Sequence, residues 1–331
     1  MDQRDVIDAL LELAVVPSFS RIGPVVRSRL WGWSEPAPDA LAGRTALVTG
    51  ATGGLGRATA TALAGLGARV ILVGRDQTRL DGLRDDLAAA NASNRASGPD
   101  RYPTFVADMA SLETVRSMAA AIFAAETSLD ILVDNAGAIY PERTTTADGI
   151  EASMALMAIG PFVLTAGLLP LLQQSPDARV IAVTSGGMYT QPIDVDDLDG
   201  ARTEYGGPRF YARAKRAQVT LIREWARRTA GSTVAFSSMH PGWARTPGLT
   251  DSLPGFEKVM GPILRTPEEG IDTIKWLATA PRGEIGGGRL YLDRRARPFD
   301  RAPQTRLDAR QRRRLWDAAV LRAGIADPAS D

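Results

Sequence analysis

From Thr45 onward the chain alternates between short apolar runs and longer stretches with helical spacing. The runs read TALVT, RVILV, PTFVA, DILVD, RVIAVT and TVAFSSM. They are rich in Val and Ile and bounded by turn residues, the pattern of strands buried on both faces. The stretches around them carry apolar residues at helical intervals over 55–67, 76–91, 111–127, 147–173, 209–230 and 267–280. This rhythm predicts an α/β fold, a doubly wound parallel sheet with helices on both faces. The polar stretch 92–100 reads as a loop at the sheet edge. Ahead of the alternation, residues 5–16 predict a short apolar helix, while 17–43, rich in Pro, Arg and Trp, show no clear period. The expected organisation is an N-terminal helical arm over 1–43, a sheet-bearing body over 44–292 and a C-terminal helical extension over 293–331.

Composition narrows the chemistry. The 331 residues are 44% apolar with a net charge of +1, ordinary values for a folded globular chain. That balance gives no reason to expect nucleic acid as a partner. Absence of cysteine excludes disulfides, thiolate nucleophiles and iron–sulfur ligation. The single histidine, His240, excludes a multi-histidine metal site. Redox chemistry would therefore need an organic cofactor. No apolar run reads as long enough to span a bilayer, and the M-D-Q-R-D start lacks a signal-peptide pattern, so the expected location is cytoplasmic. Residues 286–331 hold eleven Arg against six Asp. This reads as a solvated helical tail, with docking to an acidic partner or anionic lipid as the sharper alternative. The apolar helix at 5–16, close to Arg21, Arg27 and Arg29, raises the parallel expectation of a peripheral membrane contact.

Thr49-Gly50-Ala51-Thr52-Gly53-Gly54-Leu55-Gly56 follows the first strand and opens a helix, in the manner of a Rossmann-type dinucleotide turn. Gly50 permits the tight turn, Gly54 lets backbone N–H groups approach a pyrophosphate, and Gly56 allows close helix–strand packing. The helix N-terminus faces the anion. The second strand runs out at Val73-Gly74-Arg75. A carboxylate there would select NAD, whereas a guanidinium suits a 2′-phosphate. Arg75 therefore favours NADP(H), with NAD(H) as the other option, and Asp76 reads as the N-cap of the following helix.

Tyr211 and Lys215 stand four apart on a predicted helix and so share a face. An ammonium beside a phenol stabilises the phenolate and makes the tyrosine usable as an acid or base. Ahead of them lies Thr184-Ser185-Gly186-Gly187. Turn, serine and Y-x-x-x-K pair come in the order that a hydride-transfer site needs.

With these residues in place the chain resembles the short-chain dehydrogenase/reductase family over about 45–292. The T-G-x-x-x-G-x-G turn is that family's version, and the likeness implies cofactor contacts from Gly50, Thr52, Gly53, Gly54, Leu55 and Gly56. Asp134-Asn135-Ala136-Gly137 matches its N-N-A-G motif, with Asp in place of the first Asn. The likeness assigns Asn135, Ala136 and Gly137 to the cofactor, and Asp108 with Met109 to the adenine end. Pro241-Gly242 with Thr246 matches its P-G-x-x-x-T motif, whose threonine holds the carboxamide. Ser185, Tyr211 and Lys215 match its catalytic set, which implies a carbonyl–alcohol oxidoreductase. V-T-S-G-G-M, S-S-M-H-P-G-W-A-R-T-P-G and G-R-L-Y-L-D-R resemble the family's member 12 group, in which an N-terminal arm and a C-terminal extension are expected.

One departure concerns the long helix, where Met157 stands at the position of the family's usual asparagine, whose backbone carbonyl holds a water that reaches the lysine. Pro161, lacking an N–H, is expected to leave the Met157 carbonyl free for that water. Met188, Tyr189, Phe210, Trp243 and residues 247–265 are expected to border the nicotinamide, favouring a small apolar carbonyl or alcohol substrate. His240 is expected to hydrogen-bond locally, and the acidic stretch 192–200 to form a solvated loop beside the cleft. Likeness to the family also raises a homodimer through the helices at 147–173 and 209–230. The alternative function is a cofactor-binding scaffold or sensor with impaired catalysis.

Overall fold

The computed structural model describes residues 2–92, 98–246, 255, 258 and 260–329. Its strands are β1 (Thr45–Thr49), β2 (Arg69–Gly74), β3 (Thr104–Val106), β4 (Ile131–Asp134), β5 (Ala178–Val183), β6 (Val234–Met239), β7 (Arg289–Leu292) and β8 (Arg295–Arg297). They form one sheet in the order β3-β2-β1-β4-β5-β6-β7-β8. Every pairing is parallel except β7 with β8. β8 comes from the segment read as the C-terminal extension, so the sheet continues past residue 292.

The helices are α1 (Gln3–Leu13), α2 (Val16–Phe19), α3 (Ile22–Trp31), α4 (Gly54–Gly65), α5 (Gln77–Ala90), α6 (Leu112–Ala125), α7 (Ala152–Met154), α8 (Gly160–Gln174), α9 (Gly207–Arg228), α10 (Pro267–Thr279) and α11 (Ala309–Ala323). Strand side chains alternate between two cores, as a pleated sheet requires. Leu47, Leu132, Val180 and Phe236 pack with α6, α8 and α9 on one face. Ala46, Val48, Val133 and Ile181 pack with α4, α5 and α10 on the other. β1 lies between β2 and β4, so the strand order reverses there and opens a crevice at the carboxyl ends of both strands.

The helix expected over 147–173 is shorter and broken. Thr145 and Glu151 pair as a bridge, and Glu151 caps α7 by accepting from the backbone N–H of Ser153 (3.0 Å) and Met154 (2.9 Å). Ala155–Ile159 form a π-helical turn, and Gly160 donates back to the Ala155 carbonyl. The wide turn falls where Pro161 cannot donate, a known way for a helix to change register. Ala152–Gln174 spans 23 residues and is long and apolar enough to cross a membrane, contrary to the sequence expectation. Its most apolar 18-residue window is nevertheless 83% buried in the protein, as a core helix is.

Arm and extension are locked to the body by ionic contacts. Arg27 is fully buried and pairs with Asp8 (2.7 Å), Glu12 (2.7 Å) and Asp293 (2.5 Å). Arg265 reaches Asp293 (2.5 Å), Arg297 reaches Asp8 (2.6 Å), and Arg301 pairs with Glu12. Asp293 and Arg294 form the two-residue β7–β8 turn with φ of 53° and 57°, a left-handed backbone that suits a tight hairpin. The basic tail is largely neutralised from within. Arg294, Arg295, Arg297, Arg301, Arg312, Arg314 and Arg322 all pair with carboxylates. Arg314 and Arg322 meet Asp196 and Asp199, so the acidic loop expected to be solvated is partly a dock for α11.

α11 covers the outer face of α8 and α9. Trp316, fully buried, meets Trp225 and Phe162 edge-on with ring centroids 4.8 and 4.9 Å apart. The face expected to pair two copies is thus occupied by the chain's own C-terminal helix.

Candidate active site

The glycine-rich turn joins β1 to α4 as its residues predict. Gly50 and Gly54 adopt φ of +66° and +50°, which favour glycine. A Cβ on Gly56 would lie 2.1 Å from the Gly50 carbonyl oxygen and 2.5 Å from Asn135 Nδ2, so only glycine lets α4 approach β1 this closely. Gly53 is the N-cap of α4, placing Gly54, Leu55 and Gly56 in its first turn. Leu55 turns its side chain toward Gly270 of α10. Thr52 packs its methyl near Gly74, while its carbonyl accepts from Arg79 (3.0 Å).

Asn135 ties the two strand ends together. Its Nδ2 donates to the Thr49 carbonyl (2.9 Å), and the N–H groups of Asn135 and Ala136 both donate to Thr49 Oγ1 (3.0 Å). Gly137 is exposed on the crevice. These contacts set a rigid floor whose glycines leave room for a dinucleotide backbone, so the residues present fit a nicotinamide cofactor.

At the far end of the crevice Arg75 is exposed and makes no hydrogen bond or ion pair with the described residues. Asp76 caps α5 by accepting from Arg79 N–H (3.1 Å), as expected. Arg79 was missed by the sequence reading. As the third residue after that cap it folds back over the turn, placing a second guanidinium beside Gly53. Asp108 accepts from Ala110 N–H (2.9 Å), and Met109 is buried with its carbonyl against Gly160 of α8.

Ser185, Tyr211 and Lys215 converge between β5 and α9. The Ser185 hydroxyl accepts from Gly187 N–H (3.2 Å) and lies next to the Tyr211 phenol. Lys215 is buried, with Nζ 6.0 Å from the Tyr211 ring centre. Nζ donates to the Val183 carbonyl (2.7 Å) and to Gln218 Oε1 (3.3 Å). Burial pulls Lys215 down to about 7, against the opposing field of Asp134. Burial also raises Tyr211, and the neighbouring Ser185 hydroxyl opposes that rise. Electrostatic help to the tyrosine thus depends on keeping the lysine charged. Met157 is buried beside this group, and a Cβ on Gly137 would sit 3.3 Å from its sulfur and 3.4 Å from Lys215 Nζ.

Beyond β6, Gly242 adopts φ +69° and Trp243 N–H donates to the Phe19 carbonyl (2.7 Å). A Cβ on Gly242 would lie 2.5 Å from both that carbonyl oxygen and Arg265 Nε. Pro241 is buried, and Thr246 ends the described part of this loop. Of the segment expected to border the nicotinamide, 247–254, 256, 257 and 259 lie outside the described residues.

Several expectations need revision. Met188 and Tyr189 pack with Phe19 in a small core beneath the arm, and the Tyr189 hydroxyl donates to the Pro298 carbonyl (2.9 Å), so neither lines the crevice. Phe210 is buried against Tyr205 and the guanidinium of Arg143. The His240 ring does not hydrogen-bond locally. It is fully buried with both nitrogens unpartnered, 4.7 Å from the Phe19 ring. Burial and the surrounding arginines, Arg265 foremost, push it well below the ordinary imidazole value, so it is neutral. Phe19 was not legible as part of this region, because nothing in the residues around it signals a contact with a loop more than two hundred positions away.

The family model for short chain dehydrogenase matches residues 44–254. A relative from Bos taurus, dehydrogenase/reductase SDR family member 12, is 38% identical over 257 residues, covering 77% of this chain and 78% of its own. Retinol dehydrogenase 14 of Mus musculus is 34% identical, covering 87% and 88%. A solved structure from Beutenbergia cavernae with bound NADP, described as an NAD(P)-dependent gluconate 5-dehydrogenase, is 26% identical. It has a TM-score of 0.61 and covers 77% of this chain and 96% of its own. The chain belongs to the short-chain dehydrogenase/reductase family, with a Rossmann fold, and is similar to its member 12 group. It is a nicotinamide-dependent oxidoreductase acting on CH–OH and C=O groups.

Proposed function

We propose that this oxidoreductase works through Ser185, Tyr211 and Lys215 on a small apolar carbonyl or alcohol, and that it prefers NADP(H) to NAD(H). The observation that carries the reading is the placement of Ser185 and Tyr211 side by side next to the buried amine of Lys215, at the crevice that the glycine turn leaves open. When bound, the nicotinamide supplies or takes up hydride. Tyr211 then gives its hydroxyl proton to the carbonyl oxygen, or removes it in the reverse direction. Ser185 hydrogen-bonds the same oxygen and orients it, while Lys215 stabilises the phenolate through its charge.

The cofactor preference is supported by Arg75, just past β2 where a carboxylate would favour NAD, and by Arg79 in the first turn of α5, whose guanidinium folds back over the glycine turn. Pro161 cannot donate to the Met157 carbonyl, which supports a kinked, wide helical turn beside the lysine. The arm adds a second contact. Val6, Leu10 and Leu13 lie on one face of α1 and are 41%, 63% and 81% exposed, which suits peripheral binding of a cytoplasmic protein to a membrane surface. The cover that α11 places over α8 and α9 favours a single chain over the homodimer expected there.

The test is turnover with aldehydes, ketones and quinones, using NADPH and NADH in parallel. The reading expects NADPH-dependent reduction of apolar carbonyls. No turnover with any member of a broad panel, alongside intact NADPH binding, would leave the scaffold reading instead.

A further inference from the structure

Behind Lys215 the interior holds two polar side chains that the site as described leaves unused. Asp134 ends β4 and is 1% exposed, yet neither carboxylate oxygen has a hydrogen-bond partner. Gln218, one turn beyond Lys215 on α9, accepts from Nζ through Oε1 while its buried Nε2 has no partner. Both line one small pocket of about 10 Å³ between β4, α8 and α9, flanked by Pro161 and Trp225 and open toward solvent. That is the space one water needs, and a water there would find a carboxyl and an amide to bond.

The two sides of the lysine differ in kind. Toward Gly137 it meets the thioether of Met157, which cannot pass a proton. Toward the cavity it meets Gln218 and, beyond it, Asp134. No charged residue occurs in Ala155–Gln174 or in β1, the segments packed around Asp134. Arg179 on β5 bonds the Leu277 carbonyl (2.7 Å) at the strand's other end. On α9, Arg216 is turned to Asp300 and Glu224 to Arg312. Lys215 is therefore the charge that Asp134 answers to. An ionised carboxylate without partners in such a place is strongly disfavoured, and it either takes up a proton or is met by water and a cation. Burial accordingly raises Asp134 to about 7, with the Lys215 charge opposing.

We propose that Asp134, linked through a cavity water and Gln218, is the proton store of Lys215. The proposal deepens the reading of the site given above. In the reductive direction Tyr211 loses its O–H proton to the substrate oxygen. Lys215 restores it, breaking an N–H bond and becoming neutral. The Asp134 carboxyl then gives its proton through the water to the amine, and the carboxylate is reprotonated from solvent. Charge and atoms balance with no further reactant. Asp134 is a positioning residue, since it acts through Lys215 and touches neither substrate nor cofactor.

The first test needs no turnover. Infrared difference spectra of the full-length, cofactor-free protein across pH 5 to 9 should show a protonated carboxyl that ionises within about one unit of neutrality. The same titration should be missing in Asp134→Asn, which keeps the shape and removes the proton. Identical spectra from the two proteins would overturn the proposal. If the variant does not fold, wild-type protein carrying ¹³C-carboxyl aspartate must show the isotope shift on that band, and an unshifted band overturns it equally.

The second test is the pH profile of kcat. Without the carboxylate, Lys215 loses its proton more easily, so the alkaline limb of Asp134→Asn should move down by about one unit, a roughly tenfold loss at pH 8. KM for the carbonyl should stay unchanged, and Gln218→Met should move the limb the same way. Superimposable profiles would refute the store. Absence of turnover in the wild type would instead sink the catalytic reading, and the infrared titration would still decide on Asp134.

Discussion

Trp316→Ala measures how firmly the C-terminal helix belongs to the fold. The indole is fully buried, meets Trp225 and Phe162 at 4.8 and 4.9 Å, and lies under the Arg228 guanidinium at 4.4 Å. Its Nε1 donates to Asp327 at 3.1 Å. Truncating a buried tryptophan costs about 3–5 kcal/mol in lost transfer energy and cavity formation. Each aromatic pair contributes about 0.5–1.5 kcal/mol beyond area. Because several of these contacts meet in one side chain, the loss should be about 4 kcal/mol, a large part of a typical folding free energy of about 5–15 kcal/mol. Urea unfolding followed by far-ultraviolet circular dichroism reads this without relying on indole fluorescence. The midpoint should fall clearly at similar slope. A change below about 1 kcal/mol would mean that α11 is a loosely attached tail and that the α8–α9 face is open to a partner.

Three further outcomes follow from the same structure. Gly56→Ala should abolish tight NADPH binding, because its Cβ would meet backbone at 2.1 Å, and calorimetric affinity within threefold of wild type would contradict the cradle. Arg75→Asp should weaken NADPH by about tenfold or more while leaving NADH nearly unchanged, since charge-assisted bonds contribute about 1.5–3 kcal/mol, and equal losses would defeat the preference. Asp8 is held below its ordinary value by Arg297 and Arg27 against the cost of burial. A depressed carboxyl contributes stability above its unfolded value and loses it as pH falls through the folded value. Acidification below the usual carboxylate range should therefore loosen the arm from the body, seen as faster amide exchange in α1 to α3, and protection unchanged down to pH 2 would refute this.

What the sequence made legible follows local physics. The strand–helix rhythm, the turn at Gly50–Gly56 and the cap at Asp76 are set by neighbours in the chain, and the structure bears them out. The convergence of Ser185, Tyr211 and Lys215 was readable because helical spacing and strand ends fix it. Long-range pairing was not readable. The buried Arg27 cluster joins residues from both ends of the chain, and α11 settles on α9 through Trp316 and scattered charge pairs. The basic tail read as a solvated one because its carboxylate partners, such as Asp196 and Asp199, lie far away in sequence. Asp134 was visible as a departure from N-N-A-G, but its isolation appears only once β4, α8 and α9 close around it.

The central claim is that the Tyr211 hydroxyl supplies the proton. It is tested most directly by comparing wild type with Tyr211→Phe in NADPH oxidation, with NADPH affinity measured on both. General acid catalysis contributes about 10²–10⁴ in rate, so the variant should bind NADPH normally and lose turnover by that factor. Turnover within threefold of wild type, at equal affinity, would contradict the account.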